Sequence, residues 1–388
     1  MEKDLKICYI SNFFHPYIRG GAERYAKDLA DSMSQRHEVH VICSSPQSPI
    51  EVTSYPVYTV KCGWYVNSPV TFLNYFNPRA TLQIRTILDK IKPDLIHLHN
   101  VARLGLDFLP NGVATVQTIH DFWYFCPRSD SLDFSGKPCE NSYFGFKCIL
   151  CGRDCIPFLT NTLRKALIRR FLNKIDLFIF PSKATMRTFA QREGAFERSV
   201  VIPHGIRVPE PPRSYDVGDP LRVLFVGRVE RQKGIQYLVE AVQNVAGIQL
   251  DILGGGELQR SLKAYIDKKG IRNVRMHGFV SEEIKWAYYE NSDVVVVPSL
   301  WPEVSSLVAM EALSKGNVVI VTHLGGASEL VDNGVNGFVL NPDSAAIRDK
   351  LLYLAKNPDV TQRMKREAQR KAESTYRFQD HVARIENC

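Results

Sequence analysis

Short apolar runs alternate with amphipathic stretches along the whole chain. In the first half the runs are LKICYIS, HEVHVICS, DLIHLH, VATVQTIH, DLFIFPS and SVVIPHG. In the second half they are LRVLFVG, IQLDILGGG, NVRMHGFV, DVVVVPS, NVVIVTH and NGFVL. Unbroken apolar runs of this length suit strands buried on both faces. Between the first two lies GGAERYAKDLADSM, whose Tyr25, Leu29 and Met33 recur at helical spacing. Strands alternating with helices predict an α/β fold with parallel sheets. The proline-rich VPEPPRSYDVGDP can continue neither a helix nor a central strand, and reads as a linker. The expected plan is a first domain over 1–207, a second over 208–370 and a terminal helix over 371–388 that crosses back to the first. The halves also echo each other: DLFIFPSKATMRTF and DVVVVPSLWPEVSSL both run Asp, buried strand, Pro-Ser, helix start. Ligands of doubly wound sheets bind at the carboxyl ends of the strands, so two facing sheets predict a central cleft.

Composition narrows the class. At 388 residues, 45% hydrophobic and 23% charged, the chain suits two ordinary globular cores. No apolar run approaches a membrane span. The start, MEKDLKICYI, has no signal-peptide pattern, so the expected compartment is cytoplasmic. A formal net charge of +8 suits an anionic ligand or the acidic inner face of a membrane, and no nucleic-acid motif accompanies it. Of nine cysteines, five fall between Cys126 and Cys155.

The stretch SLWPEVSSLVAMEALSKG carries the most chemistry. DVVVVPS is a central strand, Pro302 keeps Glu303 in the loop at its carboxyl end, and Ser305 and Ser306 are good N-caps. A helix then starts near Leu307 with free N–H groups, a site for phosphate. Glu311 shares the stripe of Leu307 and Val308, where a carboxylate needs hydrogen-bond donors that ligand hydroxyls would provide. The plainer reading of the pair is one solvated loop residue and one residue at the edge of a helix stripe. LFVGRVERQKG sets Arg228 at a strand end and Lys233 in the next loop, two cations suited to a diphosphate or simply two solvated charges. LGGGE, with Gly255 and Gly256, is a turn where backbone can approach a ligand, but it lacks the third glycine of a dinucleotide fingerprint.

As an ordered set, Arg228/Lys233, GGGE, HGFV, the E-x7-E pair Glu303/Glu311 and GGASELVDNGVNGFVL resemble the retaining nucleotide-sugar glycosyltransferases of the GT-B class, often called family 4. The resemblance covers the second domain. It implies two Rossmann-like domains about a cleft, with Arg228 and Lys233 on the diphosphate of a UDP- or GDP-linked donor. Glu311 would take the ribose hydroxyls and Glu303 those of the transferred sugar. N–H groups at Ser305, Ser306 and Leu307 would meet phosphate or sugar oxygens, and HGFV, through Val280, would line the base. In the first domain, RGGAERY resembles the family's Gly-Gly loop at Gly20 and Gly21, and His120 of TIHD matches its sugar-facing histidine. Two departures are His204 where the family has asparagine, and GNVVIV without the customary proline. The implied reaction is sugar transfer with retention, onto a growing polysaccharide, an oligosaccharide or a lipid-linked glycan. No D-x-D triplet occurs, so the cations and helix N-termini stand where a metal otherwise would, and no catalytic cofactor is expected. The rival readings are a GT-B-shaped nucleotide-sugar epimerase and a non-catalytic nucleotide- or glycan-binding protein.

Two stretches remain. The cysteines are spaced C-x12-C-x8-C-x2-C-x3-C. Their expected role is a structural zinc or iron–sulfur site on Cys139, Cys148, Cys151 and Cys155, with Cys126 as an alternate ligand, inside an insertion over 122–157. Free thiols or a disulfide are the rivals. TNTLRKALIRRFLNK places Leu163, Leu167 and Phe171 among Arg164, Lys165, Arg169, Arg170 and Lys174. It reads either as a helix packed on the first sheet or as a peripheral contact with anionic membrane.

Overall fold

The computed structural model describes residues 5–17, 20–44, 53–62, 77–126, 129–133, 135–139, 158–193, 198–207 and 214–388. These fall into two compact units, one ending at Ile202 and the other running from Pro203 to Asn387.

The first unit is built on a seven-stranded parallel sheet: β1 (Lys6–Ser11), β2 (Glu38–Ser44), β3 (Val57–Val60), β4 (Leu95–Leu98), β5 (Ala114–Thr118), β6 (Leu177–Phe180) and β7 (Ser199–Val201). Their spatial order is β3-β2-β1-β4-β5-β6-β7. All six strands expected in this half are present. The seventh, β3, is an edge strand of four residues with only Val60 buried, so it leaves no apolar run to read.

The second unit repeats the plan with six parallel strands: β8 (Leu221–Val226), β9 (Ile248–Leu253), β10 (Val274–Gly278), β11 (Val294–Val297), β12 (Val318–Thr322) and β13 (Gly337–Leu340). The order is β10-β9-β8-β11-β12-β13, the doubly wound Rossmann arrangement. Its apolar runs are continuous because both faces are covered. Val294, Val296, Val318 and Ile320 pack with Leu238, Leu262 and Leu351 on one face. Val295, Val297, Val319 and Val321 pack with Met310, Leu313 and Ala368 on the other.

The echoing aspartates have a structural role. Asp176 donates its N–H to the Thr115 carbonyl at 2.8 Å and accepts from the Thr115 N–H at 2.9 Å. Asp293 repeats the exchange with Arg222 at 2.8 and 2.9 Å, and also takes Lys365 Nζ at 3.1 Å. Each aspartate locks the strand it precedes to a neighbour. The echo therefore reflects a shared way of starting a strand.

In each sheet the order reverses once, between β1 and β4 and between β8 and β11. At such a point the loops leaving two adjacent strands diverge and open a crevice at the sheet's carboxyl edge. The terminal helix Phe378–Glu386 packs within the second unit on Pro203–Ile206: His381 bonds the Pro203 carbonyl at 2.8 Å and Ile206 bridges to Arg377. The basic stretch forms the helix Phe158–Leu172, whose Ile168 and Phe171 are fully buried while Arg169 and Arg170 face out. Its apolar positions from Ile168 onward are thus used by the first core. Among the described residues no helix is long and apolar enough to cross a membrane.

Candidate functional site

The second unit concentrates its chemistry at the β8/β11 reversal. After β8 the chain passes Arg228 and makes one tight turn, Arg231–Lys233, closed by Gly234. Gly234 has φ +69°, and a Cβ there would run into the Pro298 carbonyl, so only glycine lets this turn lie against the end of β11. Leu300 N–H bonds the Gln232 carbonyl at 2.8 Å and ties the two loops together.

That closeness joins Lys233 to Glu303. Lys233 Nζ donates to Glu303 Oε1 at 2.7 Å. Ser299 Oγ donates to the same oxygen at 2.5 Å and Trp301 Nε1 at 3.0 Å. Glu303 is 5% exposed, and a carboxylate so placed is tolerable only with such donors. The Lys233 ammonium also lies 4.9 Å from the centre of the Trp301 ring. The Glu303 backbone is held from the other side: Gly326 N–H bonds its carbonyl at 2.5 Å, and it bridges to Gly325.

The helix begins where the sequence places it, at Leu307, and runs to Ser314. Ser306 caps it, accepting the Ala309 N–H at 3.3 Å, while Ser305 Oγ is buried with no hydrogen-bond partner among the described residues. Glu311 is 4% exposed, but its donors belong to the protein rather than awaiting a ligand: Lys285 Nζ at 3.0 Å and Tyr289 Oη at 2.9 Å. Arg228 is half-exposed and pairs with Glu230 at 2.7 Å. Of the four predicted side chains, then, Lys233 and Glu303 meet directly, whereas Arg228 and Glu311 each hold another partner along the same sheet edge.

The glycine turn after β9 serves packing first. A Cβ on Gly254 would strike the Gly227 carbonyl, and one on Gly256 would come within 2.6 Å of the Val229 carbonyl. The close approach expected toward a ligand is here an approach between two turns, with Val229 N–H bonding the Gly255 carbonyl at 2.9 Å. Beside Gly255, Phe279 of HGFV is 84% exposed, and Val280 is partly buried against the helix-side core.

In the first unit, Gly20 caps the helix Gly21–Met33, and its N–H bonds Glu23 Oε2 at 2.8 Å. His120 follows β5, and its Nε2 lies 2.9 Å from His99 Nδ1. The His99 ring stacks between those of His97 and His120, with Tyr25 edge-on to His120 at 5.3 Å. Burial, helped by His97, pushes the His120 imidazole down to about 3, so it is neutral at physiological pH and offers hydrogen bonds rather than charge. Next to it, burial and the nearby Glu23 push Asp121 up to about 7.

Sequence reading missed Ser299, Trp301, Lys285, Tyr289, His99 and Asp121. Only Trp301, a large aromatic in a loop between Leu300 and Pro302, carried a local signal. Of the cysteines, Cys126 is buried with Sγ 3.9 Å from Asp130, and Cys139 is half-buried. Cys148, Cys151 and Cys155 lie outside the described residues.

Comparison with known proteins bears on the family of the chain. Residues 19–208 match the family model described as Glycosyltransferase Family 4, and residues 211–371 match that of Glycosyl transferases group 1. The chain carries the two domains of a GT-B glycosyltransferase. This GT-B chain is 25% identical over 361 residues to the phosphatidyl-myo-inositol mannosyltransferase of Mycobacterium leprae, covering 89% of this chain and 86% of that one. It is 37% identical over 135 residues to the uncharacterized glycosyltransferase MJ1607 of Methanocaldococcus jannaschii, 33% of this chain and 34% of that protein. Matches to MJ1607 and to the uncharacterized glycosyltransferase MJ1178 of the same organism span a third to a half of those proteins' lengths. In fold, the GT-B chain superposes on Anabaena Alr3699/HepE, solved with UDP-glucose, with a TM-score of 0.69 and 20% identity, covering 99% of this chain and 98% of that one.

Proposed function

We propose that this chain transfers a sugar from a nucleoside diphosphate sugar to an acceptor hydroxyl, with retention of anomeric configuration, in the assembly of a polysaccharide, an oligosaccharide or a lipid-linked glycan. The observation that carries the reading is the Lys233–Glu303 contact of 2.7 Å at the strand reversal. It sets a cation suited to phosphate against a carboxylate suited to sugar hydroxyls. Glu303 is held by Ser299 and Trp301, and Lys233 by the carboxylate and the Trp301 ring, which is the preorganisation that electrostatic catalysis needs.

In this reading Lys233, Arg228 and the N–H groups at Ser305–Leu307 neutralise the departing diphosphate. The bond between the anomeric carbon and the phosphate oxygen breaks as the acceptor oxygen bonds on the same face. The acceptor's proton passes to the departing phosphate oxygen. Three donors saturate Oε1 of Glu303, leaving Oε2 to orient the sugar. His120, kept neutral, offers a ligand of the first unit a hydrogen bond rather than a charge. Because protein cations meet the leaving charge, the reading includes no divalent metal. Alr3699/HepE was solved with UDP-glucose, which favours a uridine donor, and the mycobacterial relative is named for mannosyl transfer.

Thermal-shift screening against UDP, GDP, ADP and their sugars identifies the donor, since a ligand bound only by the folded state raises its stability. With that donor, Glu303→Gln and Lys233→Ala each lower transfer at least ~100-fold. Near-normal turnover in both would refute the assignment. Nucleoside diphosphate released only with acceptor present separates transfer from epimerisation or mere binding.

A further inference from the structure

Trp301 touches both members of the Lys233–Glu303 pair. Its indole N–H donates to Glu303 Oε1 at 3.0 Å, and its ring face meets Lys233 Nζ at 4.9 Å. Ser299, the other neutral donor on that oxygen, reaches the carboxylate alone. The backbone on either side of the indole is anchored. Leu300 before it is bonded to the Gln232 carbonyl, and Glu303 after Pro302 is bridged to Gly325.

An ammonium and a carboxylate in direct contact in a half-dry site tend to neutralise each other, and a ligand must then compete with the pair. The ring offers Lys233 a second attraction away from the carboxylate. The N–H fixes which oxygen of Glu303 is occupied, so that Oε2 stays available. We infer that Trp301 is a positioning residue that couples the phosphate-facing cation to the sugar-facing carboxylate and so lets one nucleotide sugar engage both. This inference rests on the function proposed above.

The two halves of the indole's role are separable. Trp301→Phe keeps a ring for Lys233 and removes the N–H, whereas Trp301→Leu removes both. The measurement is the Kd of the full chain, by titration calorimetry, for UDP and UDP-glucose, or for GDP and GDP-mannose if the screen selects guanine. Melting temperature by circular dichroism is followed alongside. In Trp301→Phe, nucleoside diphosphate affinity stays within about twofold of wild type while nucleotide-sugar affinity falls about tenfold, the scale of one hydrogen bond to a charged group. In Trp301→Leu, the diphosphate alone also weakens, by about three- to fivefold, the scale of one cation–π contact.

Equal binding of both ligands by wild type and Trp301→Phe overturns the inference. So does a parallel loss for both ligands with a lowered melting temperature, which is the mark of a merely structural tryptophan. Either result leaves the proposed function standing if the wild type binds the nucleotide sugar. A wild type that binds no nucleoside diphosphate or sugar conjugate removes the function and the inference together.

Discussion

Lys285→Met tests how the second unit tolerates a buried carboxylate. Glu311 is 6% exposed in its side chain and Lys285 12%, with 3.0 Å between Nζ and Oε1. Methionine keeps an unbranched aliphatic stem and deletes the ammonium, which lies 5.1 Å from the centre of the Trp286 ring and also pairs with the half-exposed Glu282 at 2.9 Å. Removing one partner of a buried pair costs about 3–5 kcal/mol, because the other charge is left without compensation. Tyr289 still donates at 2.9 Å, which puts the expectation near the lower end, about 3 kcal/mol. For a unit of this size that is a fall of about 6–12 °C in melting temperature. The assay is thermal unfolding by circular dichroism at neutral pH, with Lys285→Met/Glu311→Gln measured beside the single variant. Glutamine is nearly isosteric and carries no charge, so the double variant recovers at least half of the loss through coupling between touching residues. A single-variant loss under about 2 °C, or a double variant as unstable as the single, would refute the view that Lys285 makes Glu311 tolerable.

Three further expectations follow from the same geometry. Gly325 has φ +72°, and a Cβ there would come within 2.6 Å of the Glu303 backbone nitrogen, so Gly325→Ala costs about 1–3 kcal/mol and weakens nucleotide-sugar binding. Retained melting temperature with unchanged binding would exclude that crowding. Asp121, raised to about 7, is protonated in the folded chain over a range where the unfolded chain ionises it near 4, so stability falls as pH rises from about 4 to 7. Asp121→Asn keeps an acceptor for the Trp123 N–H, now 2.9 Å from Oδ1, and removes the slope; it gains up to about 4 kcal/mol on wild type at pH 8 and nothing near pH 4 in pH-dependent melts. Finally, the structural metal proposed for Cys139, Cys148, Cys151 and Cys155 predicts about one equivalent by elemental analysis of protein prepared without added zinc, lost on the quadruple Cys→Ser change; less than half an equivalent refutes it.

The central strands of both sheets were readable because they are covered on both faces, and a run such as VVVV at 294–297 has no other economical fate than a central parallel strand. The start of the helix at Leu307 was readable for an equally local reason, since Pro302 excludes helix and Ser306 supplies a cap. The E-x7-E pair was singled out by the family resemblance, which rests on the order of short motifs along the chain. The strands and the helix start depend on residues close in the chain.

Tertiary structure decided the partners. Lys233 and Glu303 are 70 residues apart, and Lys285 and Glu311 are 26 apart. The first meeting depends on a strand order that brings β8 beside β11, and the second on the packing of the helices before and after β11. The glycines of LGGGE could be read as open backbone, but only the fold shows that the space they leave is filled by the turn after β8. The stack of His97, His99 and His120, and the burial that keeps His120 neutral, likewise arise from two adjacent strands of the first sheet. Local pattern therefore determined which chemical groups this protein carries and on which strand ends. Long-range pairing determined which of them neutralise, orient or crowd one another, because those energies depend on separations of a few ångströms between segments far apart in the chain.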